Sequence, residues 1–150
     1  MGAICSNIQW FFPRGSGERA ILDMKPVVAR WLEFAEVDLK AARSLLDEGS
    51  LSSVVCFHAQ QCVEKSLKAL IEFKGLNPPK SHDLTMLYGQ VDDVIKLEED
   101  TLAKLNQIYI DARYPASFGF LPEGQPDAED AKGFYEFARE VLTRVMTISE

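Results

Sequence analysis

The sequence predicts an all-α protein, an up-and-down four-helix bundle with one short additional helix. Two observations carry this: apolar residues recur at helical spacing through four long stretches, and no strand alternation competes with them anywhere. The strongest stretch runs from Ser52 to Lys74. Val55, Cys56, Ala59, Cys62, Val63, Ser66, Leu67, Ala69, Leu70 and Phe73 fill one arc, wider than a surface helix needs. A helix with such an arc touches more than one neighbour and belongs at the centre. Its narrower arc aligns His58, Gln61, Lys65, Lys68 and Glu72 as a polar strip, and Gly75 stops it.

The first helix is expected over about Pro26 to Glu48, with proline in its first turn and Val28, Trp31, Leu32, Ala35, Leu39, Ala42, Leu45 and Leu46 at helical spacing. Gly49 ends it. Ser50 to Ser53 supply N-caps for the central helix, and so short a connection folds the two helices into an antiparallel hairpin. The prolines of LNPPKSHDL make a loop, after which Ser81 or His82 caps a short helix carrying Leu84, Leu87, Tyr88, Val91 and Val94. A fourth helix is expected from about Glu98 to Ala112, facing inward with Leu102, Leu105, Ile108, Tyr109 and Ala112. Arg113 to Pro126 is read as the longest loop. Asp127 caps the last helix, whose Glu129 and Asp130 favour its dipole and whose Ala131, Phe134, Phe137, Ala138, Val141, Leu142, Val145 and Ile148 face the core.

With 150 residues, 47% of them hydrophobic, the chain is long enough for one ordinary domain with its own core. Residues 1–23 lose the helical period at Pro13, Gly15 and Gly17, and are read as an irregular extension upstream of a candidate start at Met24; residues 24–150 form the bundle. A formal net charge of −7 opposes DNA and anionic membranes, and disfavours RNA without a local basic patch. No apolar run reaches the 18 or so residues of a membrane span. The three cysteines are odd in number, and Cys56 and Cys62 face inward as small apolar groups, which points to a reduced, cytoplasmic protein.

Only two histidines are present, neither in a carboxylate-x-x-His pair, so no metal or cofactor site is expected. Phosphate-loop, dinucleotide, GxSxG and HExxH motifs are absent. The candidates therefore sit on helices and at their ends. His58, at the edge of the polar strip, makes either a structural hydrogen bond or a ligand contact. Lys65 and Lys68 either form a solvated charged face, with Glu64 and Glu72 in reach of Lys68, or meet a phosphate. His82 is either part of a helix cap or a group at the mouth of the bundle. Arg113 either complements the helix dipole or clamps an anion at two points.

Four pieces in order, WLEFAEVDLKAARSLL, FHAQQCVEKSLKALIEFKG, SHDL and ARYP, resemble the HEPN family of small helical domains found in prokaryotes and some eukaryotes. The resemblance implies a helical bundle like the C-terminal domain of aminoglycoside nucleotidyltransferases, usually a homodimer. It also implies a minimal nucleotidyltransferase as partner, in a pair resembling a toxin and its antitoxin. Many members are metal-independent ribonucleases with an Arg followed after four to six residues by His. No arginine of this chain has a histidine at that spacing. The resemblance therefore carries over nucleotide or polyphosphate binding, with ATP or GTP as ligand, to His58, Lys65, His82, Arg113 and Tyr114 and implies no catalytic residue. Arg113 and Lys65 would contact phosphate, Tyr114 the base or a hydroxyl, and the histidines would orient. Two other functions stay open: a ribonuclease toxin with a noncanonical site such as His58 with Arg113, and a structural homodimeric module with Phe57 and Ile71 as its face.

Overall fold

The computed structural model describes residues 25–113 and 125–150, with 110–113 described by backbone alone. The boundary expected near Met24 and the loop from Tyr114 onward fall outside the described residues. The helices are α1 (Pro26–Leu45), α2 (Ser52–Phe73), the short α3 (Leu84–Tyr88), α4 (Glu99–Arg113) and α5 (Ala128–Ile148). Among the described residues all regular structure is helical, and no helix is long and apolar enough to cross a membrane.

Pro26 occupies the first turn of α1, where its missing N–H costs nothing. The helix stops at Leu45, a turn short of the expected Glu48. Leu46 and Glu48 donate instead to Arg43 and Leu45 three residues back, tightening the end into a 3₁₀-like turn. A 3₁₀ turn over Gly49–Leu51 leads straight into α2. None of the serines caps α2 with its side chain: the N-cap is Leu51, and Ser52 Oγ donates back to Gly49 O at 2.8 Å.

The central position of α2 follows from its sequence. It packs against α1, α3, α4 and α5 and buries 14 of its 22 residues. Every apolar position expected inside is buried except Phe73, which is 39% exposed near the helix end. Cys56 and Cys62 lie fully inside. Burial raises both thiols, Cys56 to about 12, with Asp130 and Asp127 adding to the shift there, so neither forms a nucleophilic thiolate near neutral pH. Ile71, expected on an outer face, is also fully buried, because contacts surround α2 beyond its apolar arc; Phe57 is half-buried. The expected Phe57–Ile71 dimer face is therefore not available.

Gly75 sits at φ 80°, the left-handed conformation that closes a helix, and Leu76 N–H reaches back to Ile71 O at 3.1 Å. The cap of α3 is Asp83 rather than Ser81 or His82: its Oδ1 accepts from Thr85 N–H at 2.9 Å and Met86 N–H at 3.2 Å. Ser81 Oγ accepts from Asp83 N–H at 3.1 Å and steadies that turn. Past α3 the chain continues in turns, with Ile95 rather than Val94 against the core. The last helix begins with a reciprocal capping box: Asp130 N–H donates to Asp127 Oδ1 at 2.8 Å, and Asp127 N–H to Asp130 Oδ2 at 3.0 Å. Asp127→Ala is expected to lower stability by about 1 kcal/mol, read from urea unfolding, since a buried amphipathic α5 relies on that first turn.

Candidate functional site

The polar strip of α2 faces partly to solvent, and its side chains are tied to two carboxylates. Asp38 comes from α1, from the flank of the stripe that buries Ala35, Leu39 and Ala42, and is itself buried. Its Oδ1 lies 2.9 Å from His58 Nδ1, and its Oδ2 accepts from the Lys65 ammonium. Glu64, on α2, is buried as well. It accepts from Lys68 Nζ at 2.9 Å, and both its oxygens lie 3.1 Å from His82 Nδ1. Each carboxylate thus joins one lysine and one histidine.

His82 reaches Glu64 because Asp83 has taken over the cap of α3. Its carbonyl is held too, by Gln60 Nε2 at 3.2 Å, so the turn before α3 is pinned to the middle of α2. Gln60 Nε2 and Gln61 Nε2 also approach Glu64 Oε2, at 3.4 and 3.3 Å. Gln61 donates to Gln60 Oε1 at 2.7 Å. Aromatic rings join the two groups. Phe57 meets the His58 ring edge-on with centroids 5.5 Å apart and stacks on Tyr109 of α4 at 6.1 Å. Tyr109 lies 5.4 Å from the His82 ring. On the other side Lys68 Nζ sits 5.4 Å over the Trp31 ring.

Carboxylates only accept, so each histidine's Nδ1 carries the proton that is donated, and its Nε2 is left for another partner. The His82 side chain is half exposed and that of His58 about a quarter. Two oriented imidazoles, the Lys65 ammonium and an aromatic wall can together hold a planar group and an anion. With both imidazoles neutral, the charges of Asp38, Glu64, Lys65 and Lys68 cancel. The cluster thereby adds no net charge of its own to the negative field of the chain.

Of the sequence-derived candidates, His58, Lys65 and His82 come together here. Arg113 ends α4 as expected, its side chain outside the described part, and Tyr114 lies beyond the described residues. Lys68, for which the sequence allows a solvated face, is buried and paired. Asp38, Gln60, Glu64, Phe57 and Tyr109 escaped the sequence reading as site residues. One signal was present: Gln60, Glu64 and Lys68 stand four apart, a single polar line on a helix otherwise apolar on that side. Asp38 had no such signal, since its partners are 20 and 27 residues away.

One further buried carboxyl stands apart from the cluster. Glu36 on α1 is 3% exposed, and its Oε1 meets no hydrogen-bond partner among the described residues. Burial raises its pKa to about 7, against the pull of Lys40 and with a small push from Glu33. Among the described residues no group of three or more His, Cys, Asp or Glu side chains is placed to hold a metal ion.

Residues 28–148 match the family model of the HEPN domain. The chain is similar to two solved structures. TT1696 from Thermus thermophilus is 25% identical, with a TM-score of 0.69 over 83% of this chain and 99% of that one. ST0689, an archaeal HEPN homologue, is 27% identical, with a TM-score of 0.62 over 82% of this chain and 98% of the other. No curated protein matches. A match that runs from the first turn of α1 to the last residue of α5, on a bundle with the fold of an HEPN homologue, leads to one conclusion: the chain belongs to the HEPN domain family.

Proposed function

We propose that the Asp38–His58–Lys65 and Glu64–His82–Lys68 cluster binds a nucleotide or polyphosphate, and that the protein is a non-catalytic subunit working with a minimal nucleotidyltransferase in a toxin–antitoxin-like pair. The observation that carries the binding site is the pairing of both histidines through Nδ1, which leaves two Nε2 atoms for a ligand beside the Lys65 ammonium and an aromatic wall. Phosphate oxygens would meet Lys65, and an imidazole only in its protonated form, when Nε2 also carries a donor; the base would lie on the Phe57–Tyr109 side. Arg113, at the end of α4, and Tyr114 would extend the site. The partner rests on the resemblance to a family whose members are often encoded beside a minimal nucleotidyltransferase, and on no residue of this chain. A homodimer would cover the outer stripe of α1, where Val27, Phe34 and Val37 are 43%, 42% and 55% exposed.

Calorimetric titration with ATP and GTP tests the site, with His82→Ala as the informative variant because His82 is the most exposed member of the cluster. Loss of one charge-assisted contact is expected to weaken binding about tenfold. Equal affinity in wild type and variant would remove His82 from the site. Co-purification of a nucleotidyltransferase from the native host tests the partner.

A second reading, a ribonuclease with a noncanonical site, is favoured by one observation. Two carboxylate-oriented histidines joined by a ring wall are the parts of a general acid and a general base. RNA left intact by wild-type protein, and degraded no faster than by His58→Ala, would exclude it.

A further inference from the structure

We propose that anion binding at this cluster is coupled to the uptake of a proton at His82, so that the protein holds a polyphosphate more tightly as the pH falls from about 8 to about 6. The inference rests on the nucleotide- or polyphosphate-binding reading above and concerns how that site is regulated.

The Glu64 carboxylate only accepts, so the proton between it and His82 sits on Nδ1, 3.1 Å from both carboxylate oxygens. The neutral ring then carries a lone pair on Nε2. An acceptor nitrogen repels a phosphate oxygen. A second proton, taken from solvent onto Nε2, turns the same contact into a charge-assisted N–H···O bond. Nδ1 keeps its own proton and its hold on Glu64, so the ring gains its charge without turning. His82 is the histidine placed for this, with a side chain 50% exposed against 27% for His58, so its outward nitrogen is the one a solvated phosphate reaches.

The charges around His82 make the ligand the partner that this second proton lacks. Glu64 carries one negative charge, and Lys68 Nζ already takes it at 2.9 Å. An imidazolium on the same carboxylate leaves one positive charge over and meets the repulsion of Lys68; a bound phosphate supplies the anion that balances it. The other groups near His82 are otherwise engaged. The neighbouring Asp83 caps α3, its Oδ1 accepting from Thr85 N–H, Met86 N–H and Asn106 Nδ2. Tyr109 of α4 offers its ring, 5.4 Å away, and Asp38 of α1 is tied to His58 and Lys65. Binding therefore favours the charged ring, and by linkage the charged ring favours binding.

The test is calorimetric titration of the full chain with cyclic trimetaphosphate, which has no weakly acidic hydroxyl and so keeps its own charge constant, with ATP in a parallel arm. It is run at constant ionic strength at pH 6 and pH 8, each in two buffers of different ionisation enthalpy, so that proton uptake is read from the dependence of the heat on buffer. The expected result is net proton uptake and affinity for trimetaphosphate at least about fivefold higher at pH 6. Both should vanish in His82→Gln, which cannot ionise, and persist in His58→Gln. They should persist in Glu36→Gln as well, which separates the site from the buried carboxyl that titrates in the same range. Equal affinity at the two pH values without proton uptake would overturn the inference while leaving anion binding in place. Uptake that survives in His82→Gln would overturn it too. Binding of ATP but not trimetaphosphate would place recognition on the base and overturn the inference, and binding of neither would overturn both readings.

Discussion

Glu36→Gln is expected to stabilise the protein by about 3 kcal/mol at pH 8 and to leave it unchanged at pH 4. Burial raises the pKa of this carboxyl from 4.5 to about 7, and its Oε1 meets no partner among the described residues. A raised pKa means that the folded chain holds the proton more tightly than the unfolded one. The stability tied to the neutral carboxyl is therefore complete below the unfolded value, falls as the pH rises, and is lost once the pH passes about 7. Glutamine keeps the shape and cannot ionise, so the wild-type decline should vanish in the variant. Urea midpoints of the two proteins at unit steps from pH 4 to pH 8 would show it. Parallel curves would mean that Glu36 reaches water or a cation when ionised.

Glu64→Ala should be the most damaging single change in the cluster, lowering stability by about 3–5 kcal/mol. The carboxylate is the acceptor for Lys68 and His82, and Gln60 and Gln61 lean on it too. Lys68 is the reason for the size of the effect. Its side chain is 9% exposed, and without Glu64 its charge would keep, among the described residues, the face of Trp31. In the double variant Glu64→Ala, Lys68→Met the stranded charge is gone, so more than half of the loss should return. Urea unfolding of the two single variants and the double variant closes the cycle. A loss below about 1 kcal/mol in Glu64→Ala would show that Lys68 slips to water, as long side chains can.

The two variants separate two uses of buried charge in one small bundle. Glu36 is buried with the pull of Lys40 too weak to offset its desolvation, and its ionisation works against the fold. Glu64 is held by the groups around it, and its ionisation is what they require. Only the second kind can serve a ligand, because His82, which helps to satisfy Glu64, also faces outward.

Much of this architecture was legible in the residues. The apolar arc of α2 named nine of its ten inward positions correctly, and Asp127 with Asp130 announced the start of α5. These signals are local: a helix face repeats within seven residues, and a capping box spans four. The cap of α3 lies one or two residues later than the residues alone suggest. Ser, His and Asp stand in a row, and the choice of Asp83 is reinforced by Asn106, which lies 23 residues on and donates to it at 3.2 Å.

The site was legible only in part. His58, Lys65 and His82 stood out by residue type, yet nothing in their spacing stated what they bind to one another through. The sequence by itself determined the helices, the central place of α2 and the polar strip along it, because helical periodicity and breakers act over a few residues. Tertiary structure alone decided that Asp38 of α1 gathers Lys65 and His58, that Glu64 of α2 takes His82 beside its neighbour Lys68, and that Lys68 and Ile71 are buried. Such pairings depend on how helices rotate and cross to bury their apolar faces, and that rotation is set by the packing of all the helices together.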